Sequence, residues 1–232
     1  NKEGYDVEVI HESNYYGEIA VQGPESEAVI ESVLGIPCAE LAFYTFKQVE
    51  HEGETIIISR TGYTGEDGFE IYASHDLTCK LWDQLMDSGK AVPCGLGCRD
   101  TLRFEVGLPL YGDELSEEIT PIEACLGIFV KTDKEEFIGK DVVKKQKEEG
   151  APRKLVGIEL HDKAIPRHGY EVLSGEEVIG YVTTGYRCIS VEKSVALALI
   201  DSKYANMGDP VKIKIRKKVF DGTIVARKFY KK

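Results

Sequence analysis

The chain has 232 residues, of which 42% are hydrophobic and 30% are charged, which is typical of a folded globular protein with one large or two ordinary domains. Its formal net charge of −11 at pH 7 argues against non-specific binding to nucleic acid, which needs a basic surface. No apolar run in the sequence approaches the roughly 18 residues that span a membrane.

Two smaller features of the composition bear on possible ligands. The six cysteines form no CxxC pair and have no histidine pair nearby, so we predict reduced thiols and no metal site. The last thirty residues carry more lysine and arginine than acids. This excess predicts either a solvated basic face or a surface for an acidic partner or a polyanionic ligand.

The first ninety residues alternate between apolar runs and turn residues. We predict strands over 7–10, 17–21, 43–49 and 55–59, the last two forming a hairpin. Pro24 predicts the start of a helix over 25–34. A second helix is predicted over 75–88, with Leu77, Leu81, Trp82, Leu85 and Met86 facing the core.

The segment 59–72, SRTGYTGEDGFEIY, joins two predicted strands through a turn with three glycines and two acids. One interpretation is a glycine-rich hairpin with solvated acids. The other is a binding site, because Glu70 lies between apolar Phe69 and Ile71. A carboxylate on the inner side of such a strand would need a partner, since burying an unpaired charge is costly.

The segment 95–105, GLGCRDTLRFE, opens with glycines and then has a helical spacing of apolar residues. Arg99 and Asp100 fall in the first predicted turn. An acid there complements the helix dipole, whereas an arginine does not. We therefore expect Arg99 to be held by an anion, which is either a protein carboxylate or a ligand.

The rest of the chain changes from mixed to all-β patterning. The acids Glu114, Glu117, Glu118 and Glu123 predict a solvated loop, followed by a short strand over 128–131 and a charged helix over 141–149. Gly150 marks the predicted domain boundary. Beyond it, strands predicted over 155–160, 171–173, 177–183, 194–200, 210–215 and 223–228 are typical of a β-barrel or sandwich.

Several long motifs occur in the order in which one family carries them. SRTGYTGEDGFEIY, GLGCRDTLRFEVGLPLYGDELSEEITPIEACLGIFVK, FIGKDVV, GYVTTGY and SVALALI together resemble the T-protein of the glycine cleavage system, an aminomethyltransferase. The resemblance implies an α+β fold class, with a partial folate-binding α+β domain over 1–150 and a C-terminal antiparallel β-barrel over 153–232. Family members are longer, so we expect this chain to be their C-terminal two-thirds, without a signal or transit peptide.

The resemblance also implies a reaction. T-proteins move the methylene of the aminomethyl-lipoyl arm of the H-protein to tetrahydrofolate and release ammonia. Tetrahydrofolate is thus the expected substrate and lipoylated H-protein the expected partner, with no permanently bound cofactor or metal and no nucleic acid or membrane. The expected location is the cytoplasm of a bacterium, or the mitochondrion if the source is eukaryotic.

Four residues match positions that the family uses on folate. Glu70 would accept hydrogen bonds from the pterin edge, Arg99 would contact folate and Tyr63 would line the pocket. Tyr230 is an uncertain counterpart of a C-terminal folate tyrosine. As alternatives, Glu70 and Arg99 pair with each other and Tyr63 caps the turn. We expect Asp100 to support the start of its helix.

The sequence departs from the family pattern at three points. Phe43-Tyr44 stands where relatives carry a tyrosine pair, which removes one pocket hydroxyl, and Cys98 replaces a small residue beside Arg99. The aspartate that engages the reacting folate nitrogen belongs to the N-terminal part of the family. No catalytic residue is therefore assigned within this chain, and we expect the chain alone to be inactive.

Two rival functions share this fold. A folate-dependent sarcosine or dimethylglycine demethylase is usually fused to a flavin domain, but the sequence has no GxGxxG fingerprint. A folate-binding scaffold without chemistry, like the relatives that mature iron–sulfur clusters, would carry a KGCYxGQE-type motif, which is absent. The intact TGYTGEDGFE and GLGCRD motifs favour the transferase.

Overall fold

A computed structural model describes residues 4–230. The chain divides into two compact units, Asn1–Leu96 and Gly97–Lys232. The elements of the first unit are β1 (Tyr16–Gln22), α1 (Ser26–Val29), a π-helical turn (Ile30–Leu34), β2 (Phe46–His51), β3 (Glu54–Ser59), β4 (Gly68–Ser74) and α2 (His75–Asp87). α3 (Leu96–Glu105) begins at the junction. The second unit continues with a 3₁₀ turn (Gly127–Phe129), α4 (Lys140–Glu149), β5 (Arg153–Leu160), β6 (Glu171–Ser174), β7 (Glu177–Arg187), β8 (Ser194–Asp201), a 3₁₀ turn (Ser202–Tyr204), β9 (Pro210–Ile215) and β10 (Lys218–Val225).

The first unit is a four-stranded antiparallel sheet in the order β1-β4-β3-β2. Successive side chains of β4 alternate between its faces, so Phe69, Ile71 and Ala73 are at most 1% exposed within the core. Ser74 then starts α2, because its hydroxyl accepts a hydrogen bond from the backbone N–H of Leu77. The other face of β4 carries Glu70, Tyr72 and Ser74.

The predicted hairpin is confirmed, although its first strand begins three residues later than predicted. β2 and β3 meet through Glu52 and Gly53, which both have left-handed backbone conformations, as the twist of a two-residue hairpin requires. Tyr44 also has a positive φ of 63° and lies in a turn, so the strand cannot extend back to Phe43.

Other local predictions for this unit had mixed outcomes. No strand forms over 7–10, whereas the helix predicted over 25–34 is present, as a four-residue α-helix that continues as a π-helical turn. In α2, the stripe of Leu77, Leu81 and Leu85 is buried as predicted. Trp82 is 43% exposed and is not a core residue, because it lies about 100° around the helix from Leu81.

The second unit contains a closed antiparallel barrel in the order β10-β5-β8-β7-β6-β9. β8 is buried on both sides: Ala196, Ala198 and Ile200 point into the barrel, and Val195 and Leu197 pack outside it with other residues. Phe104 of α3 belongs to this outer cluster, so α3 packs on the barrel wall.

The predicted α+β fold class with a C-terminal antiparallel β-barrel is confirmed. The last strand ends at Val225 rather than at 228, and the predicted strand over 128–131 is replaced by the 3₁₀ turn. The compact units separate at Leu96, whereas the sequence boundary at Gly150 stays a prediction about domains. No helix among residues 4–230 is long and apolar enough to cross a membrane.

Candidate functional site

Gln22 at the end of β1 holds the glycine-rich turn between β3 and β4. Its side-chain Nε2 donates to the backbone oxygen of Thr61 at 3.1 Å and to that of Phe69 at 3.4 Å. Its Oε1 accepts a hydrogen bond from the Thr64 hydroxyl at 3.2 Å. One amide therefore fixes the start, the middle and the end of the turn.

Packing against this amide explains two of the glycines. A Cβ on Gly62 would lie 1.9 Å from Oε1 of Gln22, and a Cβ on Gly68 would lie 2.4 Å from the same oxygen. Any larger residue at either position would push the Gln22 amide away from its hydrogen bonds. The glycines are thus required by a side chain about forty residues earlier in the sequence.

Arg60 also holds the turn in place, through ion pairs with two acids. Its guanidinium forms a two-point ion pair with Asp67, at 3.0 Å from Nε and 2.6 Å from Nη2, and it also pairs with Glu27 at 3.1 Å. The hydrogen bond with Asp67 raises the pKa of Arg60 above its usual value. Asp67 is therefore a structural partner within the turn and is not a solvated acid.

Glu70 lies on β4 on the face opposite the core, where it is half-buried. Its Oε2 accepts hydrogen bonds from the Thr61 hydroxyl and, at 3.4 Å, from the Tyr72 hydroxyl. Burial and the negative charge of Glu70 raise the pKa of Tyr72 to about 12, so this hydroxyl remains a donor at neutral pH. The carboxylate is thus partly accessible and oriented by neutral donors.

The other predicted folate residues are divided between the two units. Tyr63 is half-buried in the turn next to Glu70. Arg99 is exposed in the first turn of α3, in the second unit. Tyr230 is fixed at the far end of that helix, because its backbone N–H donates to the oxygen of Glu105 at 2.8 Å. The pairing of Glu70 with Arg99 stays a prediction.

The second unit contains a buried charged cluster that the sequence analysis missed. Arg103 and Glu114 are both 0% exposed, and they form an ion pair at 2.8 Å. Arg103 also donates to Asp100 at 2.7 Å from Nε, and Glu114 accepts from the backbone N–H of Leu110 at 2.9 Å. Every charge in this cluster has a partner, as burial requires.

A β-bulge completes the shell of Glu114. Neighbouring strand residues normally point to opposite faces, but the register of β7 against β8 shifts between Val182 and Thr184. As a result, the hydroxyls of Thr183 and Thr184 both donate to Oε1 of Glu114, at 2.6 and 2.7 Å. The predicted solvated loop is therefore wrong for Glu114, which is buried against β7 of the barrel.

Glu123 of the same predicted loop is also buried, with 2% exposure. It pairs with Arg153 at 2.7 Å and accepts from the backbone N–H of Thr120 at 2.9 Å. Its pKa is lowered despite the opposing effect of burial, because these hydrogen bonds stabilise the ionised form. Only Glu117 and Glu118 of the four acids are exposed, as predicted.

Asp100 does not cap the start of α3. One of its oxygens accepts from Arg103, and the other accepts from the hydroxyl of Tyr186 on β7. Burial, together with the hydrogen bond to Asp100, raises the pKa of Tyr186 to about 12. Asp100 thus connects α3 to the barrel. It supports the helix, but through Arg103 and Tyr186 rather than at the helix start, where support was predicted.

Asp113 and His168 lie at the edge of this charged cluster and are partly exposed to solvent. Asp113 contacts Nδ1 of His168 at 3.1 Å, and the same nitrogen lies 2.7 Å from the backbone oxygen of Thr183. Both neighbours accept hydrogen bonds, so Nδ1 carries the proton. Burial and the nearby Glu114 raise the pKa of Asp113.

No group of histidines, cysteines and acids among residues 4–230 is arranged to hold a metal ion. The cysteines are free thiols, as predicted, and Cys38 and Cys188 are buried. Burial raises the pKa of Cys38 to about 11 and that of Cys188 to about 12. Neither thiol therefore has the properties of a nucleophile.

The chain matches two family models. Residues 1–134 match the GCVT N-terminal domain, and residues 153–231 match the glycine cleavage T-protein C-terminal barrel domain. The second match coincides with the closed barrel of the structure.

Similar proteins include curated aminomethyltransferases and a solved structure. The aminomethyltransferases of Thermoanaerobacter sp. (strain X514) and Alkaliphilus oremlandii (strain OhILAs) are 51% and 50% identical to the chain, which they cover by 100% and 99%. The chain spans 64% of the length of each. The crystal structure of the glycine cleavage system aminomethyltransferase T from Bartonella henselae is 30% identical, with a TM-score of 0.86, and the match covers 93% of this chain and 60% of that one.

Proposed function

The chain belongs to the glycine cleavage T-protein family, and we propose that it is part of a tetrahydrofolate-dependent aminomethyltransferase. The reaction would move the methylene of the aminomethyl-lipoyl arm of an H-protein to tetrahydrofolate and release ammonia. Relatives at about 50% identity are named aminomethyltransferases, which supports this activity over a demethylase or a scaffold. Because those relatives are bacterial, we also propose that the protein works in the cytoplasm.

The observation that supports a pterin site is the environment of Glu70. Its carboxylate is half-buried on the outer face of the sheet, beside a turn that Gln22 and Arg60 hold in place. A flat ring with an amidine-like edge presents hydrogen-bond donors, and a carboxylate is the acceptor that matches them. We propose that Glu70 binds this edge.

The remaining predicted residues complete the proposal. Tyr63 lies in the same turn as a half-buried aromatic that offers both a ring face and a hydroxyl. Arg99 is exposed at the start of α3, where a guanidinium is suited to an anionic or carbonyl group of the ligand. The part of Tyr230 in binding is a weaker proposal, since its backbone lies at the opposite end of α3.

Calorimetry with tetrahydrofolate on the full-length protein tests the role of Glu70. We expect Glu70→Gln to lose about 2 kcal/mol of binding free energy, or about thirtyfold in affinity, because the amide removes the charge and one acceptor. Asp83→Asn on the exposed face of α2 is the matched control and should bind as the unmodified protein does. Equal affinity of Glu70→Gln and the control would remove Glu70 from the site.

The inactivity of these 232 residues by themselves is also part of the proposal. In the family, the group that engages the reacting nitrogen lies outside the motifs described above, and such a group contributes roughly 10²–10⁴ in rate. A turnover assay with lipoylated H-protein and tetrahydrofolate measures this directly. Rates close to those of the full-length protein would contradict it.

A further inference from the structure

We infer that a relay of two hydroxyls, from Ser59 to Thr61 to Glu70, positions the Glu70 carboxylate and thereby sets the selectivity of the pterin site. This inference rests on the proposed function, since it concerns the same carboxylate. Thr61 and Ser59 are positioning residues in it, because they act through Glu70.

The relay begins with a backbone that a hydrogen bond holds in place. Thr61 lies two residues after the end of β3, and its carbonyl oxygen accepts from the Gln22 amide at 3.1 Å. Ser59 lies opposite Glu70 in the register of β3 and β4, so their side chains share the outer face of the sheet. The three side chains are thus brought together by strand pairing and by the turn.

The direction of the hydrogen bonds follows from the chemistry of the groups. A carboxylate oxygen only accepts, so the Thr61 hydroxyl donates its proton to Oε2 of Glu70. The Ser59 hydroxyl lies 2.6 Å from the Thr61 oxygen and 3.5 Å from the backbone oxygen of Glu70. Because the Thr61 proton is already donated to Glu70, the Thr61 oxygen is the acceptor in its contact with Ser59, and it is the nearer of the two acceptors of Ser59. Hydrogen bonds in such a chain strengthen one another.

The hydroxyl of Tyr72 reaches the same oxygen, Oε2, at 3.4 Å. Within the described part of the first unit, the hydroxyl donors therefore converge on Oε2 and leave Oε1 for other donors. A free glutamate side chain would have to be ordered when a ligand binds, at an entropic cost. The relay orders it beforehand, which favours a ligand that donates to Oε1.

The inference predicts selectivity as well as affinity. Tetrahydrofolate carries two donors on its ring edge, N3–H and the 2-amino group, whereas a 2-desamino analogue keeps only N3–H. If the relay acts by orienting the acceptor, its loss should weaken the binding of tetrahydrofolate more than that of the analogue. A purely structural defect would weaken both ligands equally.

Titration calorimetry on the full-length protein with both ligands tests this with isosteric variants. We expect Thr61→Val, which lacks the hydroxyl, to bind tetrahydrofolate about tenfold more weakly and the analogue at most about threefold more weakly. Thr61→Ser keeps the hydroxyl and should restore binding to within about threefold. Equal losses for both ligands, or no loss with tetrahydrofolate, would overturn the inference.

Comparing Thr61→Val with Glu70→Gln separates this inference from the function on which it rests. If Glu70→Gln binds tetrahydrofolate normally, the proposed pterin site itself is wrong. If Glu70→Gln loses binding while Thr61→Val does not, only the relay is wrong. Should Thr61→Val fail to fold, Ser59→Ala tests the first link, and an unchanged ratio of affinities for the two ligands would then overturn the relay.

Discussion

Two carboxylates in this protein, Glu70 in the first unit and Glu114 in the second, are both held by threonine hydroxyls but differ in how completely they are surrounded. Both oxygens of Glu114 receive donors, and the residue is 0% exposed. Glu70 is half-buried, and its hydroxyl donors converge on one oxygen. The two acids therefore differ both in burial and in how many of their oxygens the protein itself satisfies, and only Glu70 keeps an oxygen available to other donors.

The physical reason is the cost of removing a charge from water. Glu114 is fully desolvated and must recover that cost within the protein, from Arg103, Leu110 and two threonines. Glu70 keeps contact with solvent, so its charge does not have to be fully compensated within the protein. Substitutions around Glu114 should therefore mainly lower stability, whereas substitutions around Glu70 should mainly weaken the proposed ligand binding.

The largest expected effect on stability comes from Arg103→Met. The variant leaves Glu114 buried without its cationic partner, so we expect the free energy of unfolding to fall by about 3–5 kcal/mol. Chemical denaturation followed by circular dichroism measures it. Adding Glu114→Gln to this variant should recover part of the loss, because the uncompensated charge is then removed.

Arg187→Met provides the control for this substitution. Arg187 lies at the exposed end of β7, and its replacement should change the free energy of unfolding by no more than about 0.5 kcal/mol. If Arg103→Met were as mild as the control, the cluster would not be the closed structural unit that its contacts indicate.

A smaller effect is expected for Gly68→Ala in the first unit. Its Cβ would lie 2.4 Å from the Gln22 amide, which would have to give up its hydrogen bonds to the turn. We expect a loss of about 2 kcal/mol in the free energy of unfolding.

The same substitution in a Gln22→Ala background should cost less than about 1 kcal/mol, because the obstructing side chain is gone. A double-mutant cycle from urea denaturation measures this coupling. If the cost of Gly68→Ala were the same in both backgrounds, the contact with Gln22 would not explain the glycine.

The last expected effect is the dependence of stability on alkaline pH. The pKa values of Tyr72 and Tyr186 are raised to about 12, whereas the tyrosines of the unfolded chain ionise near 10. The folded protein therefore holds protons that the unfolded chain releases, and stability falls between about pH 10 and pH 12.

Denaturation at several pH values in that window should show a shallower fall for Tyr72→Phe and for Tyr186→Phe than for the unmodified protein. The two variants compare the two units of the protein, because Tyr72 donates to Glu70 in the first unit and Tyr186 donates to Asp100 in the second. A fall that neither variant makes shallower would contradict the assignment of these hydroxyls as donors.

Local patterns in the sequence predicted most of the helices and strands but did not predict which groups the charged side chains pair with. The alternation around Phe69 and Ile71 predicted β4, and the glycines predicted the turn before it. The side chain that makes Gly62 and Gly68 necessary is Gln22, and no local pattern connects residues so far apart in sequence. The family motifs, in turn, selected Glu70 and Tyr63 for binding but contained no sign of the relay through Ser59.

The acids of the predicted solvated loop show that a charged stretch of sequence can be partly buried. A run of glutamates is normally exposed, yet Glu114 and Glu123 are buried because Arg103 and Arg153 approach them from other elements. The β-bulge that turns Thr183 and Thr184 toward one oxygen is likewise a property of two paired strands.

By itself, the sequence determined most of the helices and strands, the fold class and the family, because these depend on short-range periodicity and on motifs that are contiguous in the chain. Only the tertiary structure decided which acids are closed off and which remain accessible. That choice depends on arginines, hydroxyls and amides brought together from distant positions, and the free energy of a buried charge is set by those neighbours.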